Sequence, residues 1–466
     1  MMVHVLRDRL ARHLLLPAHG VYRSMRRDYR PAQRAARDAL RFRREASGWP
    51  DHRRREWILE RLRGLLRRAQ AESPYYRDLF RQAGFDPDGD FGFRDFARIP
   101  TLGKDHLLEH AERLRSATLP ERLVRSDSTG GSTGQPVRVW KGPGERGWAE
   151  GGWQFFTEQL GCREAARTAF LWGHHLDARP RKRSWPTLSD LLSNAYWFDC
   201  FHLDDAKLLQ YHRELTDLDP ECLVAYGGAL AALANVLERR GLGATYPRRA
   251  IITGAEKVWP HERTLIERVF GRPVHERYGS RDVGLMGIQL HPTESTDFTV
   301  DWCNVLVEPD TEGESPTGIL VTKLNGDGMF LIRYRVGDLA VFPPGARSAE
   351  PAFSLVEVAG RELEGIVSPS GGWIHGAVFP HLMKDYPVRD FQVHQHADSS
   401  LTVRLVTRGD WTADDEAALR KQLAGIVPEV AINLSFVDEI PRTPANKRRP
   451  VISDLAPDRS TASEGR

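Results

Sequence analysis

The stretch Ser128-Thr129-Gly130-Gly131-Ser132-Thr133-Gly134-Gln135-Pro136 decides how the chain is read. Its glycines permit positive φ and let the backbone come close to a ligand. Ser128, Thr129, Ser132 and Thr133 add hydroxyl donors. Exposed N–H groups and hydroxyls together make a cradle for phosphate. The strand-like Val137–Trp140 follows at once, which argues against a merely flexible surface loop. Three other motifs can be laid over this region. Gly130–Gly134 satisfies G-x-S-x-G, but that nucleophile elbow needs a helix directly after it, and here Pro136 and a strand follow. A Walker P-loop needs Lys and then Ser or Thr after its last glycine, where this chain has Gln135-Pro136. Gly142-Pro143-Gly144-Glu145-Arg146-Gly147 fits G-x-G-x-x-G, but no clear acidic residue follows on a strand at the expected distance.

Outward from the loop, 466 residues suggest about two to four domains. With 41% hydrophobic and 28% charged residues, the composition is that of an ordinary soluble globular chain and excludes disorder, collagen and small disulfide scaffolds. Apolar runs such as Leu14–Leu16 fall far short of the ~20 residues of a membrane helix. The formal net charge of +3 is unevenly spread: residues 1–70 hold 19 Arg, no Lys and 7 acids, a local excess of +12. Acids and apolar residues interleave with these arginines, so solvated helix faces are favoured over a nucleic-acid or membrane arm. Cys162, Cys200, Cys222 and Cys303 lie far apart and form no CxxC pair, so neither a zinc ribbon nor a redox pair is expected. No signal-peptide h-region follows Arg7, Arg9 and Arg12, and a cytoplasmic, reduced protein is the default.

Residues 1–118 read mostly as helix, with Trp57, Leu59, Leu62, Leu65 and Leu66 at helical spacing in Arg53–Ala71 and a break at Pro74. From 119 to 358, strand-like runs (Leu223–Tyr226, Ala250–Thr253, Ile319–Leu324, with Val305–Val307 and Phe330–Tyr334) alternate with helical patterns (Ala229–Arg239, His261–Phe270). The expectation is an α/β protein: a large multi-layer N-terminal domain of mixed β-sheets and helices, plus a small α+β lid over 359–455. That lid reads strand at Leu401–Val406, helix at Ala413–Leu423 and strand at Val430–Phe436. The polar tail 456–466 reads as disordered.

Five further segments follow the loop in order: Thr253-Gly254-Ala255-Glu256, Tyr278-Gly279-Ser280-Arg281-Asp282, Arg333-Tyr334-Arg335-Val336-Gly337-Asp338, Gly360-Arg361 and Pro441-Arg442-Thr443-Pro444-Ala445-Asn446-Lys447. Together with Thr129–Pro136, this series resembles the adenylate-forming ligase superfamily. Within it the chain resembles the phenylacetate–CoA ligase branch, CapK-type proteins included. Ile99-Pro100-Thr101-Leu102-Gly103-Lys104, the Tyr226-Gly227-Gly228-Ala229-Leu230 segment and the Arg-Tyr-Arg form of the ribose motif carry that narrower likeness. The resemblance covers about residues 60–455.

The resemblance implies activation of a carboxylic acid, aryl or similarly small, by ATP and Mg²⁺ to an acyl-adenylate, then transfer to coenzyme A. The alternative acceptor is an amine, a hydroxyl or a carrier protein; a non-catalytic nucleotide-binding scaffold is disfavoured. Thr129, Gly130, Gly131, Ser132, Thr133 and Gly134 would hold the departing phosphates. Gly254, Ala255 and Glu256 would flank the adenine, and Tyr278, followed by Gly279, would stack on it. Asp338 would accept from the ribose hydroxyls, with Arg361 near the ribose or phosphates. Asp282 stands where the family has Glu and would serve Mg²⁺. Lys447 would bridge the acid and the α-phosphate; Asn446 replaces the usual Gly. Trp172, His174, Tyr226, Gly227 and Gly228 are candidate acid-pocket residues. Residues 285–291 lack the Cys that relatives often carry, so no structural metal is expected at that segment. Partners are then small molecules, with no nucleic acid, no transmembrane segment, and a homodimer as one assembly to test.

Overall fold

A computed structural model describes residues 29–128, 137–172, 194–200, 203–361, 365–367, 373–375, 378–383, 385–407, 409, 411–428, 430–441 and 449–455. The chain divides into two compact units. The first takes residues up to Val336 together with Ala340–Val358; the second takes Gly337–Leu339 and everything from Ala359. Among the described residues no helix is long and apolar enough to cross a membrane.

The first unit opens with helices α1 (Tyr29–Ala46), α2 (Asp51–Glu72) and α3 (Pro74–Ala83). Helix α2 buries Ile58, Leu62, Leu65, Leu66 and Ala69, an apolar stripe at intervals of three and four residues. Pro74 ends one helix, as expected, but it also starts the next: it sits in the first turn of α3, where its missing N–H costs nothing. Ser73 caps α3 by accepting from the Tyr76 amide. Helix α4 (Lys104–Leu114) leads to the hairpin β1 (Arg125–Ser128) and β2 (Arg138–Lys141), then α5 (Pro143–Gln159).

An eight-stranded sheet forms the middle of the unit. Strands β3 (Thr168–Leu171), β4 (Ala195–Phe198), β5 (Cys222–Tyr226), β6 (Ala250–Gly254) and β7 (Val274–Ser280) run parallel in the order β4-β3-β5-β6-β7. Helices α6 (Asp205–Leu218), α7 (Gly227–Arg239) and α8 (Pro260–Phe270) make the crossovers. Every residue of β5 and β6 is buried, as strands covered on both faces require. Antiparallel β8 (Gly284–Ile288), β9 (Phe298–Val300) and, late in the chain, Ser354–Leu355 extend the sheet beyond β7. A second sheet begins with β10 (Val305–Pro309) and β11 (Thr317–Lys323), followed by β12 (Tyr334–Val341). The strand expected at Phe330–Tyr334 is absent except for Tyr334. Phe330, Leu331 and Ile332 are buried in an irregular segment that makes isolated backbone bonds, Phe330 N–H to the Leu114 carbonyl and Lys323 N–H to the Leu331 carbonyl, but no ladder; their apolar run reflects core packing.

The Arg-rich region is part of this unit. Helix α1 lies close on α5: a Cβ at Gly147 would fall 2.4 Å from the Ala32 carbonyl oxygen, and one at Gly151 2.6 Å from that of Ala36. Beyond this seam Arg43 is buried, its Nε and Nη2 donating to the two oxygens of buried Asp301 at 3.0 and 2.8 Å. Arg44 pairs with Glu158 and Arg55 with Glu350. Among the described residues of this region, several arginines are therefore spent on tertiary contacts.

The second unit holds the hairpin β14 (Gly365–Val367)–β15 (Trp373–His375), reached through β13 (Glu357–Arg361). Its main sheet pairs β16 (Val388–Gln395) and β17 (Leu401–Thr407) antiparallel, with β18 (Ile432–Phe436) parallel to β17 and β19 (Val451–Ser453) parallel to β16. Helix α9 (Ala413–Ile426) buries Leu419 and Leu423 in that unit's core and is opened by a capping box between Thr412 and Asp415.

Replacing Asp301 by Ala leaves the Arg43 guanidinium buried and unpaired. A loss of about 3–5 kcal/mol is expected in denaturant unfolding of the full chain.

Candidate functional site

Residues Thr129–Pro136 lie outside the described residues, but their anchors do not. β1 and β2 pair antiparallel, Ser128 opposite Arg138 and Arg125 opposite Lys141, so the glycine-rich stretch joins the two arms of a hairpin. A strand, not a helix, follows it, as the phosphate-cradle reading requires. The Lys141 ammonium donates to Asp127 Oδ2 at 3.1 Å across the hairpin and to the Arg281 carbonyl at 2.5 Å. One lysine thus ties the base of the hairpin to the Tyr278–Asp282 segment.

That segment turns sharply. A Cβ on Gly279 would stand 2.4 Å from the Gly284 carbonyl oxygen, so only glycine fits. Tyr278 is buried and presents an edge to Phe298, ring centroids 6.3 Å apart. Asp282 is 7% exposed; its Oδ2 accepts from the Tyr334 hydroxyl at 2.7 Å, and its carbonyl accepts from Lys323 Nζ at 3.0 Å. Lys323 in turn pairs with Glu145 in the first turn of α5. Burial pushes the Glu145 carboxyl up and the Lys323 ammonium down, each opposed by attraction to the other. Asp327 accepts from the Gly144 and Glu145 amides at 2.7 and 3.2 Å and so caps the same helix.

The parallel strands supply a second grouping. Their order places β3 and β5 side by side although β4 intervenes in sequence, so the direction of winding reverses between them. Ligands in open α/β sheets bind at the carboxyl ends of strands flanking such a switch point. Here those ends carry Trp172 and Tyr226, whose rings meet edge to face at 4.3 Å. Tyr226 also leads directly into α7. At that N-terminus Gly228 donates its amide to Glu256 Oε2 at 3.0 Å, joining two segments nearly thirty residues apart in sequence. A Cβ on Gly227 would crowd Val258 at 2.9 Å. Ala255 holds φ = 67°, a conformation costly for a residue with a Cβ, in the middle of the Thr253–Glu256 motif. Gly254 faces Arg277: a Cβ there would lie 2.8 Å from Arg277 Cγ and Nε.

The structure brings together Trp172, Tyr226, Gly227, Gly228, Gly254, Ala255 and Glu256 at the carboxyl edge of the sheet. It places Tyr278, Gly279 and Asp282 on and just beyond the adjacent strand β7. Asp338 is half-buried on β12 and Arg361 ends β13; both fall in the second unit. Thr129, Gly130, Gly131, Ser132, Thr133, Gly134, His174 and Lys447 lie outside the described residues. For Mg²⁺, Asp282 offers a carboxylate with one oxygen held by Tyr334 and Oδ1 free of hydrogen bonds among the described residues, which suits a single-carboxylate contact. Among the described residues one other group could share a metal ion, His394, His396 and Asp454 of the second unit.

Sequence reasoning passed over Lys141, Lys323 and Arg277. Arg277 stood one residue before a quoted motif and carried a signal, a charge at the end of a buried strand. Lys141 became visible only through the hairpin register.

No protein-family model matches the chain. In sequence it is similar to phenylacetate-coenzyme A ligase of Pseudomonas putida, 24% identical over 337 residues, 66% of this chain and 70% of that one. It is also similar to protein CapK of Staphylococcus aureus, 20% identical over 371 residues, 77% of this chain and 80% of that one. In fold it is similar to a crystal structure of 2-hydroxyisobutyryl-CoA ligase in the postadenylation state in complex with R3-HIB-AMP. The TM-score is 0.67 at 16% identity, covering 87% of this chain and 90% of that one. The α/β architecture expected from the sequence is therefore present. The likeness to the phenylacetate–CoA ligase and CapK-like branch of the adenylate-forming superfamily extends over most of the chain.

Replacing Lys141 by Met removes two charge-assisted hydrogen bonds at the hairpin base. Amide hydrogen exchange over 125–128 and 138–141 is expected to quicken by about tenfold or more, while that of β5 and β6 stays put.

Proposed function

We propose that the chain is an AMP-forming carboxylate ligase. It joins a small organic acid, aryl or similar, to the α-phosphate of ATP, expels pyrophosphate, and passes the acyl group to coenzyme A. The observation that carries this reading is the meeting of Tyr226-Gly227-Gly228, Gly254-Ala255-Glu256 and Tyr278-Gly279 around the switch point of the parallel sheet. Fold and sequence likeness to CoA ligases supports it from outside the site.

In this reading Thr129, Gly130, Gly131, Ser132, Thr133 and Gly134 hold the β- and γ-phosphates, and the Asp127–Lys141 clasp keeps the hairpin beneath them in place. Gly254, Ala255 and Glu256 flank the adenine and Tyr278 gives it an aromatic face. Asp338 receives the ribose diol, with Arg361 nearby. Magnesium, arriving with the triphosphate, neutralises phosphate charge when bound, and Asp282 is the carboxylate that would hold it. Lys447 places an ammonium between carboxylate and α-phosphate, where negative charge gathers as the new P–O bond forms. The small unit acts as a lid hinged around 358–365, withdrawing Lys447 before the thioester forms. Trp172 and Tyr226 line the acid pocket, with His174 close by in sequence. The four cysteines are buried and none is in a disulfide, which agrees with a reducing, cytoplasmic setting.

Pyrophosphate exchange over a panel of acids, followed by product mass with and without coenzyme A, tests the reading. Thioester formed only with coenzyme A is expected; exchange without thioester would shift the acceptor to an amine, hydroxyl or carrier protein. Lys447→Ala is expected to cut exchange by about 100-fold or more with circular dichroism unchanged.

A further inference from the structure

Among the described residues of the first unit, Arg277 is a charge set against aromatic rings. It lies on β7, directly before Tyr278 and against Gly254. Its guanidinium carbon stands 4.6 Å from the Trp172 ring centroid and 5.3 Å from that of Trp153, with Tyr226 edge-on to Trp172. Arg277 is half-buried. Other buried or half-buried arginines of this unit have found oxygen: Arg43 has Asp301, Arg263 has Glu276, Arg333 has Glu308, and Arg167 has the Leu218 carbonyl. Arg277 has no carboxylate or carbonyl partner among the described residues. Loss of hydration lowers its pKa to about 10, opposed by attraction to Tyr226 and Cys222. Aromatic faces attract a guanidinium above its plane, but they leave its in-plane N–H donors unused.

A half-buried cation at the carboxyl ends of the strands, backed by aromatic rings and with no protein oxygen bonded to its donors among the described residues, is a place for an anion. We infer that Arg277 is a specificity residue for the acid: it pairs with a second anionic group, so that the preferred substrates carry a carboxylate to be activated and a further carboxylate, phosphate or sulfonate. This rests on the carboxylate-ligase reading above. The reacting carboxylate itself is the poorer partner. A bidentate guanidinium would stabilise it before reaction more than during it, which raises the barrier.

The test is pyrophosphate exchange by the full chain with matched acids: phenylacetate against 4-carboxyphenylacetate, butyrate against glutarate, and a phosphate-bearing analogue of each. The doubly anionic member is expected to lead in kcat/KM by at least about 30-fold. Arg277→Met should shrink that ratio to about threefold or less, and Arg277→Lys should leave an intermediate ratio. Equal rates for matched acids in the wild type, which needs no variant, overturn the inference, as does a ratio unmoved in R277M. Silence with every acid overturns the ligase reading and this inference with it.

A separate observation concerns the second unit. His394 Nε2 lies 3.0 Å from both oxygens of Asp454, and His396 Nδ1 lies 3.9 Å from Asp454 Oδ2; all ligand atoms fall within 4.8 Å of one another. The register is fixed, since His394 pairs with Ile452 and the Asp454 amide donates to the Gln395 carbonyl at 2.9 Å. His396 Nε2 is bonded to Thr402 Oγ1 at 2.8 Å. When Nε2 carries the proton, Nδ1 turns a lone pair toward a carboxylate, an arrangement a cation between them would reconcile. The geometry points to a Zn²⁺ site of two imidazoles and one carboxylate, stapling the short last strand β19 to β16. Untagged full-length protein is titrated with Zn²⁺ against a chromogenic chelator. About one equivalent should bind, His396→Gln and Asp454→Asn should each weaken it at least about tenfold, and millimolar Mg²⁺ should not displace it. Binding as tight in both variants would mark adventitious uptake by the chain's other histidines and overturn the site.

Discussion

A lysine ammonium taken fully out of water has to be met by oxygen, and in this protein that requirement organises the ground on which the site stands. Lys323, at the end of β11, is paired with Glu145 and bonded to the Asp282 carbonyl. Those contacts lock together the first turn of α5, the second sheet and the loop beyond β7. Tyr334, at the start of β12, then holds the Asp282 carboxylate. Neither partner of the buried pair gains much net free energy from it, because desolvation consumes most of the attraction. What the pair supplies is position: any displacement of one element leaves a charge stranded.

The same logic extends outward along a short chain of charges. Lys141 reaches from the hairpin to the Arg281 carbonyl, next to Asp282, so the arms that carry the glycine-rich stretch are referenced to the segment holding Tyr278 and Asp282. Asp327 fixes the neighbouring end of α5. At the far side of α5, alanines of α1 meet Gly147 and Gly151 at backbone distance, and Arg43 reaches Asp301 just before β10. Among the described residues of that Arg-rich stretch, several arginines thus serve packing. Arg277 stands apart from this pattern, because its partner is not supplied by the described chain.

The element types were largely readable. β5 and β6 are fully buried, so their apolar runs were unmistakable, and α2 showed its stripe of leucines. The run Phe330–Ile332 misled because core burial made it apolar although its backbone forms no strand ladder. Of the site, the glycines could be picked out because close approach forbids any side chain, as at Gly279 and Gly254. The polar contacts that orient the site could not. The Gly228–Glu256 bond and the Lys141–Arg281 bond join residues 28 and 140 positions apart, and no local pattern encodes them.

By itself, then, the sequence determined the class of fold, the order of the motifs and the residues whose small size or flexibility the backbone demands, because those depend on neighbours a few positions away. Only the tertiary structure decided which charges are spent on holding the protein together and which is left over. Lys323, Arg43 and Arg277 each read in the sequence as one positive charge. They differ in whether the fold brings an oxygen to them, and that is settled by strand order and register.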